Sequence, residues 1–562
     1  AGTFLPPYDT AETLDRLEAL IASTKPETVI SLGDSFHNPA VIAALSDDVL
    51  TRIRRLTGSV VRFIWVTGNH DPEVPEHFGG EVHEDFGHGP LHFRHEASPL
   101  FPQPGEISGH WHPKASIRSA QNNRPLTRPC FIHDHLRLIL PAFGAFTGGL
   151  NVSHPAVVSI NDQHSSRENR PSIVWFRHDL RLADNPALMA AANRGAPIVC
   201  VYVLDDETPG QWAHGGASRW WLHHGLHALS DDLAQMGQRL ILREGRGDVT
   251  LKALVEETGA GAVFWNRSYA PFDREPDAAL KTDLRGQGLE VRSFNANLLS
   301  EPAHVRNKSG GVFKVFSPFW KAISAEEFAE PLPAPEALPP CDGRLPSLEL
   351  SSLNLPSKPN WAFGLSQAWT PGESGARAQY EHFIEHGLAY YAEGRNRPDL
   401  DVCSRLSPFL KFGHVSPRQV YHWTLAELAD RPDVKKAAWA FLRELGWRDF
   451  SYYLLFHFPT LTDTNWRPEF NGFPWEHDAS AYDAWCKGQT GYPMVDAGMR
   501  ELWQTGYMHN RVRMITGSFL VKHLLQPWQL GERWFWDTLV DADIANNPAS
   551  WQWVSGCGAD AA

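Results

Sequence analysis

Long hydrophobic runs are absent from this sequence. Nowhere do about 18 apolar residues follow one another, which excludes a transmembrane helix. The opening stretch, AGTFLPPYDTAETL, also lacks the basic start and apolar core of a signal peptide. Cysteine is scarce, and the six cysteines stand at positions 130, 200, 341, 403, 486 and 557 without paired spacing. A disulfide framework and a cysteine-rich zinc site are therefore excluded, and this usage predicts a reducing, bacterial-type cytoplasm.

Positive charge is also in deficit, since 51 Lys and Arg face 65 Asp and Glu for a net charge of −14. A protein coated in positive charge for nucleic acid is excluded, but a single basic groove is not, because binding depends on where the charges lie. No Gly-x-Gly-x-x-Gly motif and no internal repeat occur, so no dinucleotide is expected in a Rossmann-type fold. Abundant instead are 22 Trp and 27 His.

The first part of the chain, residues 1–150, alternates short strand-like runs such as RFIWVTGNHD with loops rich in Gly and His. This pattern predicts an α/β sandwich with ligands at the strand ends. Residues 151–170 are polar and show neither helical nor strand periodicity, so they are predicted to be a linker.

The rest of the chain predicts an α/β domain followed by a helical one. In residues 171–300, apolar runs such as PIVCVYVLDD alternate with helical patterns, which indicates a doubly wound parallel sheet. Residues 301–374 are a connector, whose Pro-rich part 331–359 is expected to run over the surface. Residues 375–562 are nearly all helical in pattern. The fold class is therefore multidomain, α/β plus all-α.

Six motifs in this second part resemble the DNA photolyase/cryptochrome family in order and spacing over residues 170–562. They are WFRHDLRLADNPAL (175–188), SRLSPFLKFGHVSPRQV (404–420), ELGWRDF (444–450), GYPMVDAGMREL (491–502), TGYMHNRVRM (505–514) and DADIANNPASWQW (541–553). The branch that repairs cyclobutane pyrimidine dimers is the most similar. The resemblance implies a carbon–carbon lyase, deoxyribodipyrimidine photo-lyase, in which photoexcited reduced FAD donates an electron to a dimer flipped out of UV-damaged DNA.

The resemblance also implies the roles of individual residues. For FAD it implies a pocket made of Tyr391, Cys403, Ser404, Arg405, Leu406, Ser407, Phe441, Glu444, Arg448, Asn510, Arg513, Asp541, Asp543 and Asn547. For the lesion it implies Glu444, Trp447, Asn510, Met514 and Trp553 as catalytic residues. For DNA it implies Arg395, Lys411, Trp447, Arg511 and Trp553. For electron transfer from the surface it implies Trp475, Trp528 and Trp551.

Several of these residues have simpler alternative explanations. The serines of SRLSP suit a pyrophosphate or act as an N-cap, and Cys403 stands where the family usually has Thr. Glu444 and Arg448 are spaced as a solvated i,i+4 pair, although their apolar neighbours favour a polar pocket. Arg395 and Lys411 could equally be solvated surface charges.

The segment DADIANN has alternatives of the same kind. Its carboxylates suit a divalent ion or Asx turns. The resemblance instead pairs Asp541 with Arg513, brings Asp543 to the cofactor and places Asn547 at flavin N5. Most of the tryptophans are expected in the core.

Asn510 and Met514 distinguish between two kinds of lesion. The related enzymes for the (6-4) photoproduct carry two His at these positions, and neither Asn nor Met can act as a general acid. This favours the cyclobutane dimer. The antenna chromophore stays open between methenyltetrahydrofolate and a deazaflavin, because Phe272 and Asp273 replace the Asn-Glu pair of folate-binding relatives.

Four motifs in residues 1–150, namely GDSFHN, GNHD, RHE and GHWHP, resemble calcineurin-type metallophosphoesterases, above all the ligase-associated DNA damage response endonucleases. The resemblance implies a divalent metal pair (Mn, Fe or Zn) held by Asp34, Asn69, His95, His110 and His112, with His70 as proton donor. The family's first strand, with its Asp-x-His, is not present before Asp34, so little phosphoesterase activity is expected. The family's flavin domain likewise continues beyond the equivalent of Ala562.

Two other functions compete with light-driven repair. A cryptochrome-like blue-light receptor would use FAD and the tryptophans for signalling, and the N-terminal part could supply the main activity as a metal-dependent phosphoesterase or nuclease. The expected partner is UV-damaged DNA, with no membrane, and the expected state is a monomer.

Overall fold

The computed structural model describes residues 9–33, 35, 42, 45–68, 74–96, 105–110, 112, 114–118, 125–133, 137–141, 143, 170–341, 345–356 and 360–561. The chain divides into two compact units, Ala1–Arg167 and Glu168–Ala562. None of the helices in the described ranges is both long and apolar enough to cross a membrane.

The first unit is an α/β structure with two larger sheets. Its elements are α1 (Asp9–Thr24), β1 (Thr28–Leu32), α2 (Asp47–Thr57), β2 (Arg62–Val66), β3 (Glu81–His83), β4 (Asp85–His88), β5 (Leu91–Arg94), β6 (Glu106–Ser108), β7 (Lys114–Arg118), β8 (Pro125–Pro129), β9 (Ile132–His133) and β10 (Arg137–Ile139). Strands β1, β2 and β3 form a parallel sheet, a mixed sheet has the order β4-β5-β6-β10-β9, and β7 pairs with β8. The predicted sheet-rich α/β class of this part is confirmed.

The second unit begins with a five-stranded parallel sheet of order β13-β12-β11-β14-β15. Its elements are β11 (Ser172–Phe176), α3 (Pro186–Arg194), β12 (Ile198–Leu204), α4 (Gly216–Gln235), β13 (Leu240–Glu244), α5 (Gly247–Thr258), β14 (Ala262–Asn266), α6 (Pro271–Gly286) and β15 (Glu290–Phe294). Every residue of β11, β12 and β14 is buried, as expected for central strands covered by helices on both faces. The predicted doubly wound sheet is confirmed.

A helical region follows. Its α-helices are α7 (Phe316–Ile323), α8 (Phe363–Ala368), α9 (Glu373–His382), α10 (Tyr391–Gly394), α11 (Ser407–Phe412), α12 (Pro417–Asp430), α13 (Lys435–His457), α14 (Ala479–Cys486), α15 (Pro493–Thr505), α16 (Asn510–Ser518), α17 (Trp528–Thr538) and α18 (Asn546–Ser555). Single π-helical turns at Phe383–Gly387 and Phe519–His523 extend α9 and α16. Short 3-10 turns connect several of the helices.

The connector corrects one prediction. Its Pro-rich part does not simply run over the surface, because Leu338, Leu353 and Leu355 are buried in the main hydrophobic core. Ile198 of β12 also forms a β-bridge with Pro340. The many prolines prevent a regular element here, but the leucines between them still gain free energy by burial.

A buried polar network joins the sheet to the helices within this unit. Arg181, which is fully buried, donates from Nη1 to the Gly413 carbonyl at 2.9 Å. Asp184 accepts from Arg418 Nη2 at 2.7 Å, and Trp221 Nε1 donates to His414 Nε2 at 3.0 Å. Buried polar groups with partners fix one geometry, so this network holds the loop after β11 against α11 and α12.

The buried carboxyl group of Asp449 is expected to make the stability of this unit depend on pH. Burial raises its pKa to about 7, against hydrogen bonds from Ser300 and the charge of Arg448. An unfolded Asp has a pKa of about 3.9, so the stabilisation by the protonated carboxyl is complete below that pH and is lost as the pH rises through 7. We expect Asp449→Asn to have a melting temperature close to wild type at pH 5 and above it at pH 8. A melting-temperature difference that does not change between these pH values would contradict this assignment.

Candidate functional site

A cavity of about 860 Å³ lies within the helical region. It is lined by residues from α10, α11, α13, α16, α17 and α18. The structure brings together here almost all the residues predicted for cofactor, lesion, DNA and electron transfer: Tyr391, Arg395, Cys403, Ser404, Arg405, Leu406, Ser407, Phe441, Glu444, Trp447, Arg448, Asn510, Arg511, Arg513, Met514, Asp541, Asp543, Asn547, Trp551 and Trp553. Only Lys411, Trp475 and Trp528 of the residues predicted in this unit lie elsewhere.

A bidentate ion pair forms one wall of the cavity. Arg513 donates from Nη1 and Nη2 to the two carboxylate oxygens of Asp541 at 3.0 and 2.9 Å, and Ser407 Oγ donates to Oδ2 at 2.6 Å. Burial raises the pKa of Asp541, but Arg513 and Ser407 outweigh it, so its pKa lies below the usual value. The predicted pairing of these two residues is confirmed.

The segment Ser404–Ser407 enters the cavity before α11. The helix begins at Ser407 with no side-chain hydrogen bond at its N-cap Leu406, so the alternative of a Ser N-cap is wrong. Ser404 Oγ accepts from the Leu406 amide at 3.5 Å, and Arg405 has a left-handed backbone with φ +51°. A non-glycine residue in that region is strained, and such strain concentrates at functional sites.

Tyr507 contacts two arginines of this wall, and no motif singled it out from the sequence. The guanidinium carbons of Arg405 and Arg513 lie 5.6 and 5.1 Å from the centre of its ring. Cation–π contacts of this kind hold both guanidinium groups in place. Arg405 and Ser404 give this wall a cation and a hydroxyl that suit an anion, whereas the charge of Arg513 is already paired with Asp541.

Glu444 on α13 pairs with a residue outside its own helix. Arg395 Nη1 donates to Glu444 Oε1 at 2.8 Å, whereas Arg448 donates to the carbonyls of Asn297 and Leu410. The alternative of a solvated Glu444–Arg448 pair is therefore wrong. Trp447 stacks on Phe316 with ring centroids 3.7 Å apart, which fixes the orientation of its indole.

Arg511, Asn510 and Met514 lie together at the first turns of α16. Arg511 Nη1 donates to Asn510 Oδ1 at 2.9 Å and lies 3.1 Å from Met514 Sδ, and its Nε donates to Asn396 Oδ1 at 2.7 Å. The sequence did not single out Asn396. Trp553 is 39% exposed, so an edge of the cavity reaches solvent.

Asp543 and Asn547 also line the cavity. Asp543 Oδ1 accepts from the amides of Ala545 and Asn546 at 2.9 and 2.6 Å, which is an Asx turn. Asn547 Nδ2 donates to the Glu532 carbonyl at 3.1 Å. Among the described residues no cluster of three His, Cys, Asp or Glu could hold a metal ion, so the structure gives no support to a divalent site here.

The three tryptophans predicted for electron transfer lie in the same core cluster or against it. Trp551 is buried and lines the cavity, Trp528 is fully buried, and Trp475 packs partly buried against the cluster. No ring contact joins these three directly within the described ranges. Trp551 instead contacts Phe535 at 5.0 Å and Trp485 at 6.1 Å between ring centroids.

A second cavity lies between the parallel sheet and the helices, and its walls combine aromatic with charged side chains. They include Trp175, Tyr202, Trp212, Phe272 and Trp536. In the described part of the chain, several buried polar atoms around it have no hydrogen-bond partner: Trp175 Nε1, Arg177 Nε, His214 Nδ1, Arg267 Nε and Asn297 Oδ1. Buried polar groups normally have partners, so these atoms leave hydrogen-bonding capacity beside the cavity.

Lys411 and Asp273 also line this second cavity, and Arg448 and Asp543 line both cavities. Lys411 is buried, and its Nζ donates to Ser218 Oγ at 2.5 Å. Burial lowers the pKa of Lys411 to about 8. This burial agrees neither with the predicted DNA contact of Lys411 nor with a solvated surface charge.

The described residues include three histidines of the metal site predicted in the first unit, His95, His110 and His112. His110 Nδ1 lies 2.9 Å from His95 Nε2, and His95 Nδ1 lies 2.8 Å from the Leu32 carbonyl oxygen. His112 has a left-handed backbone with φ +43°. The other predicted ligands and the predicted proton donor, Asp34, Asn69 and His70, lie outside the described residues.

Comparison with known proteins yields three family models that match the chain. The FAD binding domain of DNA photolyase matches residues 441–562, DNA photolyase matches 172–336, and calcineurin-like phosphoesterase matches 7–236. The deoxyribodipyrimidine photo-lyase of Agrobacterium fabrum is 48% identical over 400 residues, which are 70% of this chain and 82% of that protein. The chain belongs to the photolyase/cryptochrome family.

Two further relatives represent the photolyase and the cryptochrome members of the family. A crystal structure of a bacterial class III photolyase from Agrobacterium tumefaciens superposes with a TM-score of 0.67 at 48% identity, covering 70% of this chain and 81% of that one. Cryptochrome-1 of Arabidopsis thaliana is 37% identical over 401 residues, covering 68% of this chain and 58% of that protein. The predicted photolyase-type fold, with its α/β and helical parts, is confirmed.

Proposed function

We propose that this photolyase repairs cyclobutane pyrimidine dimers in UV-damaged DNA by light-driven electron transfer, as a deoxyribodipyrimidine photo-lyase. The observation that carries the proposal is the single cavity in which the predicted cofactor and lesion residues meet. When bound, reduced FAD supplies an electron to the dimer on absorbing light and takes it back after the two bonds have split. The protein's own residues bind the cofactor and the DNA, orient them and select the lesion.

The residues present fit FAD. A cavity of about 860 Å³ lies within the range of cofactor pockets. Ser404, Arg405 and Ser407 would hold the pyrophosphate through hydrogen bonds and charge, and Arg513, paired with Asp541, would lie beside the flavin ring. Asn547 would face the flavin ring, where an amide tunes the electronics of the ring without taking part in bond breaking.

Tyr391, Phe441 and Leu406 would supply apolar contacts to the cofactor, with Cys403, Arg448, Asn510 and Asp543 completing the pocket. Aromatic and aliphatic walls with few polar groups are typical of cofactor sites. Phe441 and Tyr391 already contact each other, with ring centroids 5.7 Å apart. These apolar contacts position the cofactor, while the arginines supply the charge.

Trp447, Trp553 and Glu444 would hold the flipped dimer. Trp447 and Trp553 offer two aromatic faces for the bases, and the Glu444 carboxylate accepts a hydrogen bond from a pyrimidine edge. Extruding a base costs a few kcal/mol, and a dimer costs less because it is already distorted, which contributes to selectivity. Arg511, helped by Arg395, would bind phosphate and so position the DNA without reading its sequence.

The lesion preference rests on Asn510 and Met514, which cannot donate the proton that a His pair supplies to the (6-4) photoproduct. The test uses two oligonucleotides, one carrying a cyclobutane thymine dimer and the other a (6-4) photoproduct. We expect the reduced, FAD-loaded protein to restore only the first under light. Repair of the (6-4) lesion at a comparable rate would overturn the assignment.

A cryptochrome-like receptor is the competing function, and the retained lesion residues Glu444, Trp447, Met514 and Trp553 favour repair over it. A receptor would keep flavin photochemistry without restoring thymines. The same illumination therefore separates the two functions.

Trp551 is proposed as the first residue that passes electrons to the flavin, with Trp528 and Trp475 beyond it. We expect Trp551→Phe to lose nearly all photoreduction of oxidised FAD while keeping dimer repair once the flavin is reduced chemically. Absorbance of the oxidised flavin during illumination measures the first, and thymine recovery measures the second. Trp439→Phe, at an exposed position outside the relay, is the matched control. Undiminished photoreduction in Trp551→Phe would contradict the relay.

The second cavity is proposed to hold the antenna chromophore, either methenyltetrahydrofolate or a deazaflavin. Its support is the aromatic side chains in its walls together with the unpartnered polar atoms of Trp175, Arg177 and Asn297. Absorbance of the chromophore released from purified protein decides between the two.

The first unit is proposed to bind divalent metal (Mn, Fe or Zn) through Asp34, Asn69, His95, His110 and His112. The observation that favours this is the family-model match together with the adjacent rings of His95 and His110. Metal content measured on the purified protein should fall in His110→Ala and stay unchanged in His133→Ala, a histidine of β9 outside the predicted site. Equal metal content in all three proteins would overturn the site.

A further inference from the structure

Two successive residues after α10 reach two different walls of the cavity. Arg395 donates to Glu444 on α13, and Asn396 accepts from Arg511 on α16 at 2.7 Å. Both contacts join positions more than 40 residues apart in sequence. One short segment therefore connects the two groups that the proposed function assigns to the lesion base and to the DNA phosphate.

The guanidinium of Arg511 is held on two sides and open on the third. Its Nε donates to Asn396 Oδ1, and its Nη1 donates to Asn510 Oδ1 at 2.9 Å and lies 3.1 Å from Met514 Sδ. Its Nη2 makes no hydrogen bond with any described residue. An arginine fork presents several donors in a fixed plane, so fixing Nε and Nη1 sets the direction in which Nη2 points.

A free arginine side chain samples many rotamers, and ordering it costs entropy that subtracts from the affinity for DNA. Asn396 and Asn510 order the side chain before any phosphate arrives. Asn510 belongs to the lesion pocket itself, whereas Asn396 is exposed on a separate loop. Its neutral amide oxygen can accept from Nε without cancelling the positive charge that a phosphate needs.

We propose that Asn396 is a positioning residue for damaged DNA, because it pre-orients Arg511 towards the phosphate of the lesion. This inference rests on the proposed function, since it needs Arg511 to contact DNA. Asn396 itself touches neither cofactor nor lesion in this scheme. Asn396 contributes one exposed hydrogen bond to the charged side chain of Arg511. This bond affects the affinity for DNA and not the light-driven step.

The test is a double-mutant cycle on the FAD-loaded protein, with affinity for a dimer-containing single strand measured in the dark by fluorescence anisotropy. We expect Asn396→Ala to weaken binding roughly two- to fivefold in the wild-type background and to have no effect in Arg511→Ala. Asn193→Ala, an exposed asparagine at the end of α3, is the control and should change nothing. FAD content must be equal in all variants, which verifies folding.

Asn396→Asp separates positioning from mere loop structure. The aspartate keeps the acceptor oxygen but adds a negative charge beside Arg511. We expect weaker binding than in Asn396→Ala and a salt dependence shallower by about one phosphate contact. A purely structural role for Asn396 does not predict that change in salt dependence.

An equal loss of affinity from Asn396→Ala with and without Arg511 would overturn the inference, and so would an unchanged salt dependence in Asn396→Asp. A wild-type protein that binds dimer-containing and intact DNA equally would instead overturn the proposed function, and this inference with it.

Discussion

Arg513→Ala is expected to abolish FAD binding and to destabilise the helical region. The substitution leaves the Asp541 carboxylate, only 4% exposed, without its counter-charge. Removing one partner of a buried ion pair costs about 3–5 kcal/mol, because the remaining charge stays desolvated and unpaired. Flavin absorbance of the purified protein and its melting temperature measure the two effects.

A double variant separates the flavin contact from general stability. Arg513→Met combined with Asp541→Leu replaces the pair by apolar side chains, a change that is often neutral for stability. We expect its melting temperature to recover towards wild type while flavin binding stays lost. Flavin binding that returns with stability would contradict the cofactor-binding role of Arg513.

Glu444→Ala is expected to lower the yield of dimer repair while leaving flavin binding intact. The variant removes the acceptor for a pyrimidine edge, and leaving a buried donor unsatisfied costs about 1–3 kcal/mol, or roughly five- to 150-fold in dimer affinity. The measurement is thymine recovery at low dimer concentration, compared with FAD content by absorbance.

Glu393→Ala is the matched control for Glu444→Ala, because Glu393 lies on α10 near the same cavity but its side chain is 89% exposed. It should repair like wild type. A Glu444→Ala protein that loses FAD and repair in equal measure would show that Glu444 supports the cofactor pocket rather than the lesion.

Helical spacing in the sequence was sufficient to group Phe441, Glu444 and Arg448 on one face of α13, and all three line the cavity. It was not sufficient to give their partners. Glu444 pairs with Arg395, 49 residues earlier, and Arg448 donates to carbonyls of Asn297 and Leu410. Periodicity fixes the direction of a side chain around its own helix, whereas its partner depends on the packing of elements far apart in sequence.

Lys411 is a second residue whose environment is decided by packing and could not be predicted from its motif. It belongs to a motif in which the resemblance implied a DNA contact, but the packing of α11 against α4 buries its ammonium beside Ser218. A lysine that is buried in this way loses its hydration and tends to lose its charge, so its position cannot be read from sequence composition. The ion pair of Arg513 with Asp541 could be predicted, because two motifs each supplied one member of it.

Light-driven recovery of thymines is the most direct measurement of the central claim. Protein loaded with reduced FAD is mixed with an excess of a dimer-containing single strand, and absorbance at the thymine band is followed in the dark and then under near-ultraviolet or blue light. The proposed function predicts no recovery in the dark and, under light, many dimers restored per protein without consumption of reductant. Absence of recovery under light in a protein with bound, reduced FAD would contradict it.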